Sequence, residues 1–412
     1  MTDLAQTLCG ALILLVPLAG GGLALMNSGL GRSRSAAHAM LAPLCVTAVA
    51  MLVYFVCGWS WQSFPGRPAH AIGLAGRSWN WIASEPFFLR GLQLDGSPAA
   101  LAAWLQMFSV ALAALIPLGA ASERWRLGAS CASTAILAGW TYPLFAHWVW
   151  GGGWLAQLGF LDAGGASTVQ VVGGVTALAI ARMLGPRHGK YDSEGMPAAF
   201  PGHNAVLVLF GCFLTWMGWI GLNGAGSLLF AGASASIVRV AMNTTLSAAA
   251  GLLAVAALTR VRFGRPDASL CANGWTGGLV ASSAACAWIA PAAAVVIGAI
   301  AGILVTIAVE WLDVRLRVDD PAGSISVHAV CGLWGLLAVA LFGPGQWPAQ
   351  LAGVAALLAI VLPITYVSNR LLNRFYPQRV PADAEPHGLD LYELGAGAYP
   401  EFVTRRDDFR PR

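Results

Sequence analysis

Charged residues are scarce in this chain: they make up 10% of its 412 residues, against 57% that are hydrophobic, and the mean hydropathy is +0.67. Soluble globular domains carry about a quarter charged residues, so the composition excludes a soluble protein. The formal net charge of +4 comes with no dense basic tract or stripe, and the sequence therefore does not predict nucleic-acid binding. It predicts an all-α integral membrane protein.

Catalytic and metal-binding motifs are also missing. The sequence contains no Walker, GxSxG or HExxH pattern and no Cys/His spacing of a metal site. Its eight cysteines lie almost wholly in apolar segments and never at CxxC spacing, which indicates small core residues rather than disulfides or metal ligands. We therefore expect a protein that is not an enzyme and that holds no metal and no cofactor.

Apolar runs of about twenty residues predict eleven transmembrane helices. They lie near residues 8–28, 38–58, 99–121, 129–149, 166–184, 202–222, 236–258, 269–289, 291–312, 324–343 and 350–373. The first run resembles a secretory signal in length, but residues 1–7 contain an acid and no base. We therefore expect it to be retained as the first span.

The basic residues indicate the orientation of these spans. With an outer N terminus and an inner C terminus, only four of the 23 basic residues lie outside, namely Arg67, Arg77, Arg90 and Arg239. The inner loops and the tail hold the others: Arg32, Arg34, Arg124, Arg126, Arg182, Arg187, Lys190, Arg260, Arg262, Arg265, Arg315, Arg317, Arg370, Arg374, Arg379, Arg405, Arg406, Arg410 and Arg412. Basic residues concentrate on cytoplasmic loops, so the sequence predicts N-out, C-in.

Two heptads 158 residues apart, at 168–174 and 326–332, share the pattern [Ser/Thr]-Val-polar-x-Val-x-Gly. They open the fifth and tenth predicted spans. Matching heptads in these positions predict two five-span halves, about 8–184 and 202–343, that form an inverted 5+5 repeat. An eleventh helix, about 350–373, completes a membrane domain over residues 1–373, and residues 374–412 form a cytoplasmic tail.

The polar residues of the two heptads, Gln170 and His328, are the candidate pore residues. A buried amide or imidazole in hydrocarbon is costly unless it is paired or lines a path. A lone buried histidine is more often a satisfied core residue, but the matched pair favours a pore lining. Both side chains donate and accept hydrogen bonds when neutral, and only His328 can change its protonation near neutral pH.

The outer end of the fourth span is rich in tryptophan and glycine. Trp148, Trp150 and Trp154 surround three consecutive glycines. Such rings are either membrane-belt anchors or a cation site, because an indole face attracts a partly desolvated cation by about 1–2 kcal/mol. Asp162 follows before the fifth span, where it either caps the helix or supplies negative potential to an outer vestibule.

Two further segments allow more than one interpretation. Residues 223–227 follow the sixth predicted span, either as a plain glycine-rich loop or as the place where Ser227 offers a hydroxyl to substrate. The tail, about 374–412, mixes Pro, Asp, Glu and Arg with two tyrosines. It is either a packed or a partly disordered end.

Short segments along almost the whole chain together carry a family likeness. They are residues 29–34, 123–124, 146–153, 202–204, 218–223, 273–274, 319–321, 327–332 and 385–399. On these segments the chain resembles the ammonium transporter/Rhesus (Amt/Rh) family. The tail, with His387-Gly388-Leu389-Asp390 at its centre, resembles the bacterial ammonium transporter branch.

This resemblance implies a homotrimer in the plasma membrane (the inner membrane of a bacterium) with one pore per subunit and a role in nitrogen metabolism. Ammonium is recruited at an outer aromatic site, loses a proton and passes as ammonia through a narrow apolar pore. The family's recruitment residues match Trp150, Tyr142, Ser227 and Asp162, and its second pore histidine matches His328. The tail is implied to contact the inner loops and to help a cytoplasmic PII-type signalling protein block the exit.

The chain departs from the family pattern at three places. The first pore histidine of the family is Gln170 here. The two stacked gate phenylalanines of the family fall on Leu222 and Ser109, with Phe108 one place away. The segment 223–227 has one residue more than the usual loop of the family. These departures predict a wider or wetter entrance and a relay with one titratable member fewer.

We therefore expect ammonium or ammonia transport, with or without a coupled proton, through a pore lined by Gln170 and His328. Two alternatives remain open at this point. One is a sensor that binds ammonium with little flux, and the other is a channel for another small amine or a neutral gas.

Overall fold

A computed structural model describes residues 1–64, 70–74, 76–232 and 236–402. Arg67 and the tail residues Arg405, Arg406, Arg410 and Arg412 therefore lie outside the described residues, as does the end of the predicted tail. Helices account for 71% of the residues, so the prediction of a mostly helical protein is confirmed.

Within the described ranges, nine helices are long and apolar enough to cross a membrane. They are α1 (Asp3–Leu30), α2 (Ser33–Gln62), α3 (Pro98–Ala120), α5 (Ala166–Leu184), α6 (Ala205–Phe230), α7 (Ile237–Phe263), α9 (Pro291–Val314), α10 (Ile325–Phe342) and α11 (Trp347–Phe375). Two other long helices, α4 (residues 127–149) and α8 (Ala268–Ser283), are not among these nine. The chain is thus a multi-pass membrane protein.

Helix α6 is longer than the sequence predicted. It continues without a break to Phe230, so the interpretation of residues 223–227 as a loop is wrong. The small residues of this segment let the helix pack closely: a Cβ at Gly226 would lie 2.6 Å from the carbonyl oxygen of Ala163. The glycines of this segment therefore serve close helix packing and do not form a turn.

A two-stranded hairpin lies in the connection between α2 and α3, which the all-α prediction missed. Strands β1 (His70–Leu74) and β2 (Arg77–Ile82) pair antiparallel. The hairpin is tied to the loop after α4, because the backbone N–H of Asn80 donates to Oε1 of Gln157 and its side-chain amide donates to the carbonyl of Gly152. The alternation of aromatic and polar residues in 77–82 was the available strand signal.

The two predicted halves meet through closely packed, corresponding helices. Helix α1 packs on α6 with backbone against backbone: a Cβ at Gly22 would lie 2.6 Å from the carbonyl oxygen of Gly211, and a Cβ at Gly211 would lie 2.6 Å from that of Gly22. Helix α5 crosses α10 in the same manner, with Gly174 against the backbone of Ala329 and Gly332 against Val171. The separation of 158 residues that relates the heptads also relates Gly174 to Gly332 and Val171 to Ala329.

A buried network of charges joins several loops between the helices. The guanidinium of Arg187 donates to both carboxylate oxygens of Asp319, at 2.9 and 3.0 Å, and to Glu123 at 3.2 Å. Arg124 lies 3.7 Å from Asp319, and Glu123 also pairs with Arg32. Burial raises the pKa of Asp319, but the charges of Arg124 and Arg187 lower it further, so its pKa lies below the ordinary value.

The described part of the tail packs against the starts of α2 and α4. Asp390 accepts hydrogen bonds from the backbone N–H groups of Ala37 and His38, at 3.0 and 2.7 Å. Glu393 contacts the ring of His38 at 2.8 Å and accepts from the N–H of Leu127 at 2.8 Å. The carboxylates of Asp390 and Glu393 therefore attach the tail to the starts of α2 and α4.

The packing of α1 on α6 predicts that Gly22→Val destabilises the protein, because the new Cβ collides with backbone that cannot rotate away. Overpacking of this kind costs about 1–3 kcal/mol. We expect a lower melting temperature in detergent for this variant. Gly21→Val is the matched control, since a Cβ at Gly21 meets no atom within 4 Å. Equal melting temperatures for the two variants would contradict the close approach.

The charge network around Asp319 predicts that Asp319→Asn lowers the free energy of unfolding by about 3–5 kcal/mol at neutral pH, because Arg124 and Arg187 lose their buried counter-charge. Since the folded-state pKa of Asp319 is lowered, its stabilisation is present above its unfolded pKa of about 4 and is lost as pH falls through the lower folded value.

Melting temperatures at pH 7 and pH 3 therefore test this network, and the difference between wild type and Asp319→Asn is expected to shrink on acidification. Glu310→Gln is the control, because the pair of Glu310 with Arg262 is exposed and exposed pairs contribute about 0–1 kcal/mol. A loss for Asp319→Asn no larger than that of the control would rule out the structural role of Asp319.

Candidate functional site

The site is built on two matching helix starts. In each half an aspartate is followed three residues later by a glycine with positive φ, Gly165 at +90° and Gly323 at +70°. Each helix then begins with a π-helical turn, Ala166–Val171 in α5 and Ile325–Val330 in α10. π-helical turns are rare and often occur at functional sites, and here each one contains the polar residue of its heptad.

Gln170 and His328 are in direct contact at the crossing of α5 and α10. Oε1 of Gln170 lies 2.8 Å from Nδ1 of His328, and both side chains are buried. An amide oxygen only accepts hydrogen bonds, so in this arrangement Nδ1 carries the hydrogen and Nε2 of the neutral ring is an acceptor. The pair thus presents a fixed donor and acceptor pattern.

Apolar and aromatic groups surround this pair. The indole of Trp219 lies over the His328 ring, with centroids 6.4 Å apart and planes 31° apart, and it is held by a hydrogen bond from its Nε1 to Ser283. On another side His328 lines a narrow cavity of about 10 Å³, whose other lining residues are Leu23, Met26, Asn27, Leu30, Asn273, Thr276, Ala322, Ser324 and Val327. Only a small molecule fits such a space.

Three buried polar atoms near the pair have no hydrogen-bond partner within the described part of the chain: Nε2 of Gln170, Oγ1 of Thr168 and Oγ of Ser326. Thr168 and Ser326 occupy equivalent positions of the two heptads. An unpaired buried donor or acceptor costs about 1–3 kcal/mol, and such groups are expected where a polar molecule visits. The site can therefore exchange hydrogen bonds with a small polar solute.

Asp162 caps the start of α5. Its carboxylate accepts hydrogen bonds from the N–H groups of Gly165, Ala166 and Ser167 and from the Ser167 hydroxyl, all between 2.6 and 2.9 Å. Burial raises its pKa above the ordinary value, and these hydrogen bonds oppose that rise. Asp320 caps α10 in the same manner, through Ser324 and Ile325. These contacts support the capping interpretation.

The predicted tryptophan cluster separates into two groups. Trp148 and Trp154 pack with Trp81 of the hairpin, with centroids 5.5–5.6 Å apart. Trp150 instead donates from Nε1 to the carbonyl of Asp162 at 2.8 Å and stacks on Phe230. The expectation of one three-tryptophan site is wrong, because neighbouring positions around the glycine turn point to different surroundings.

Of the other predicted recruitment and gate residues, Tyr142, Ser109 and Leu222 are buried, and Phe108 is partly buried. The hydroxyl of Tyr142 donates to Oε1 of Gln106, and Ser109 donates to the carbonyl of Leu105 at 2.9 Å. Phe108 packs at a tilt on Trp104, with centroids 6.4 Å apart. Leu222 is buried in α6.

Ser227 lies deeper than expected. Its hydroxyl is fully buried and lies 3.7 Å from the sulfur of Cys286. Because α6 is a continuous helix here, Ser227 is one position, about 100° of rotation, away from Gly226, which lies against the loop between Asp162 and α5. Ser227 is therefore not supported as a vestibule hydroxyl, although it stays a prediction.

Three residues of the site were not found from the sequence: Trp219, Phe230 and Asp320. Asp320 had a detectable signal, because the two repeats match over thirteen positions, D-x-x-G-[AS]-x-[ST]-V-[QH]-x-V-x-G, rather than seven. Trp219 and Phe230 come from α6 and approach the site only through helix packing. In the described segments no group of three or more His, Cys, Asp or Glu residues is arranged to hold a metal ion.

The chain is similar to known proteins over nearly its full length. Residues 7–399 match the model of the Ammonium Transporter Family. Ammonium transporter Amt2 of Archaeoglobus fulgidus is 35% identical over 96% of this chain and 87% of that protein, and the ammonium transporter of Bacillus subtilis is 30% identical over 94% and 96%.

Solved structures give the same result. The structure titled Sensor Amt Protein superposes with a TM-score of 0.86, at 30% identity, over 94% of this chain and 98% of that one. Mep2 of Candida albicans superposes with a TM-score of 0.83, at 26% identity, over 99% of this chain and 92% of that one.

The cap at α5 predicts that Asp162→Ala destabilises the protein, because it leaves three buried N–H groups without an acceptor, each costing about 1–3 kcal/mol. Asp162→Asn, which keeps one acceptor oxygen, is expected to lose less, and Asp320→Ala is expected to behave like Asp162→Ala. Melting temperatures in detergent measure these losses. A wild-type melting temperature for Asp162→Ala would show that the carboxylate has another role.

Proposed function

The chain belongs to the ammonium transporter family, and we propose that it moves ammonium across a membrane through a narrow pore at the contact between Gln170 and His328. The observation that carries this proposal is that contact itself, 2.8 Å long and buried at the crossing of two equivalent helices. The unpaired Nε2 of Gln170 and the narrow cavity lined by His328, half of whose lining residues are polar, suit a small polar solute. The proposed activity of the protein is transport and not catalysis.

We further propose eleven membrane spans, α1–α11, with the N terminus outside and the C terminus inside. The inverted halves comprise α1–α5 and α6–α10, within about 8–184 and 202–343, and α11 leads from the membrane domain, residues 1–373, to the tail. The corresponding contacts of α1 with α6 and of α5 with α10 support this division. The buried inner charges and the distribution of arginines support the orientation.

Recruitment of the cation is assigned to the outer end of the pore. Trp150 offers an aromatic face, and its indole nitrogen is fixed by the carbonyl of Asp162. Asp162 acts by shaping this segment rather than by contacting the cation, because its oxygens already accept four hydrogen bonds. Tyr142 and Ser109 line the polar interior next to it, and Leu222 lies at the predicted gate position with a smaller side chain than phenylalanine.

Ammonium transfers one proton to water at the outer mouth, and the resulting ammonia passes the pair. The lone pair of ammonia accepts from the free Nε2–H of Gln170, and its N–H groups donate to Nε2 of His328. This exchange avoids the cost of moving a bare charge through hydrocarbon. Gln170 cannot hold a proton, so only His328 can take part in proton transfer.

The proposed assembly and partners of the protein are those that the family resemblance implies. We propose a homotrimer in the plasma membrane, the inner membrane in a bacterium, and a tail that a PII-type signalling protein can engage from the cytoplasm. The carboxylate contacts of the tail with the starts of α2 and α4 support its position on the inner face.

Transport is preferred to the sensor alternative. One structural neighbour is titled a sensor, whereas the curated relatives carry the name of ammonium transporters. Ammonium-dependent flux in proteoliposomes separates the two functions, and competition by other amines against that flux tests a changed substrate.

The pair predicts that Gln170→His increases the charge carried per substrate, because a second titratable ring at 2.8 Å completes a chain along which a proton can pass. Currents on a solid-supported membrane and uptake of methylammonium by proteoliposomes measure this ratio. We expect it to rise several-fold in the variant.

Gln93→His is the control for this experiment, since Gln93 is exposed in the connection between the hairpin and α3. Unchanged currents and uptake in Gln170→His would remove Gln170 as a determinant of proton coupling.

A further inference from the structure

A phenylalanine that neither the family pattern nor the pore analysis assigns lies on the recruitment face. The ring of Phe230 stacks on Trp150 with centroids 4.3 Å apart and planes 11° apart. Phe64, from the outer end of α2, packs its edge on the same Phe230 ring at 5.2 Å and 88°. Phe230 therefore covers one face of the indole.

The indole itself has little freedom to turn away. Its Nε1 donates to the carbonyl of Asp162 at 2.8 Å, and a Cβ at Gly165 would lie 3.3 Å from its Cη2. Trp150 is only 8% exposed. Any opening of this face must therefore come from a movement of Phe230.

We propose that Phe230 is a lid on the recruitment face of Trp150, displaced by the ammonium ion that binds there. This inference rests on the proposed function of Trp150 and deepens it, because it names the residue that sets the apparent affinity. The incoming cation and the phenyl ring compete for one aromatic surface.

The strengths of the two interactions allow such an exchange. Aromatic stacking favours a closed pair by about two- to tenfold, and a cation on a partly desolvated indole is favoured by about tenfold or slightly more. Since the two factors are similar, ammonium can displace the ring without being trapped by the indole. The apparent affinity is lowered by the fraction of time that the lid is closed.

The position of Phe230 allows it to move. It is the last residue of α6; Ala231 caps the helix, and Gly232 follows with φ of +85°. Terminal turns of helices open more readily than their centres, and the ring is only partly buried.

Phe230 also lies at a different depth from the gate position of the family pattern. It is eight residues beyond Leu222 on one continuous helix, which corresponds to about 12 Å along the axis. The aromatic closure is therefore at the outer mouth, above the recruitment face, and the position filled by Leu222 carries no ring. A lid at the mouth controls entry of the cation rather than passage of ammonia.

The test is the concentration dependence of methylammonium uptake by proteoliposomes. Phe230→Leu and Phe230→Ala are expected to lower the half-saturating concentration by about two- to tenfold, because the indole face is open. Phe230→Tyr keeps the stack and is expected to match wild type. Phe213→Leu, an exposed phenylalanine on the same helix, is the matched control.

A double-mutant cycle identifies the face involved. In a Trp150→Leu background, Phe230→Leu is expected to have no further effect on half-saturation. A half-saturating concentration that is unchanged or raised in Phe230→Leu, with wild type active, would overturn the lid and leave the proposed transport intact. No methylammonium or ammonium flux in wild type would instead overturn the proposed function.

Discussion

The crossing of α5 and α10 is the constraint on which the rest of this structure depends. Two buried polar side chains meet there. A buried hydrogen-bonding group is tolerated in a membrane interior only where it has a hydrogen-bond partner or binds a passing solute. Small residues on both helices bring the backbones into contact and hold Gln170 against His328. The aspartate caps then fix where each helix starts, and with it the depth at which each polar side chain lies.

Much of this arrangement could be predicted from the sequence. Apolar runs of the right length locate the helices, because the membrane demands about twenty apolar residues per span. The heptads predicted that Gln170 and His328 occupy matching positions, and the two side chains are indeed in contact. The same repeat also contains the capping aspartate, eight residues before the polar residue, and the left-handed glycine, three residues before the heptad begins. A comparison of seven residues did not reach either of them.

The outer end of the pore was less predictable, for a physical reason. Hydrophobic periodicity says where a helix lies in a membrane but not which aromatic rings meet across a loop. Trp148 and Trp150 are two residues apart and face different neighbours, Trp81 in one case and Phe230 in the other. The end of α6 was misplaced because glycines that serve close helix packing look the same in sequence as glycines that make a turn.

The tail contributes to the stability of a membrane-spanning helix. Helix α2 lacks a side-chain cap of its own, since Ser35 accepts a hydrogen bond from Leu389 of the tail while Asp390 takes over the helix start. The tail thus completes a helix that belongs to the transmembrane body. Detachment of this segment would therefore leave the N–H groups of Ala37 and His38 without their acceptor and weaken the first α-helical turn of α2.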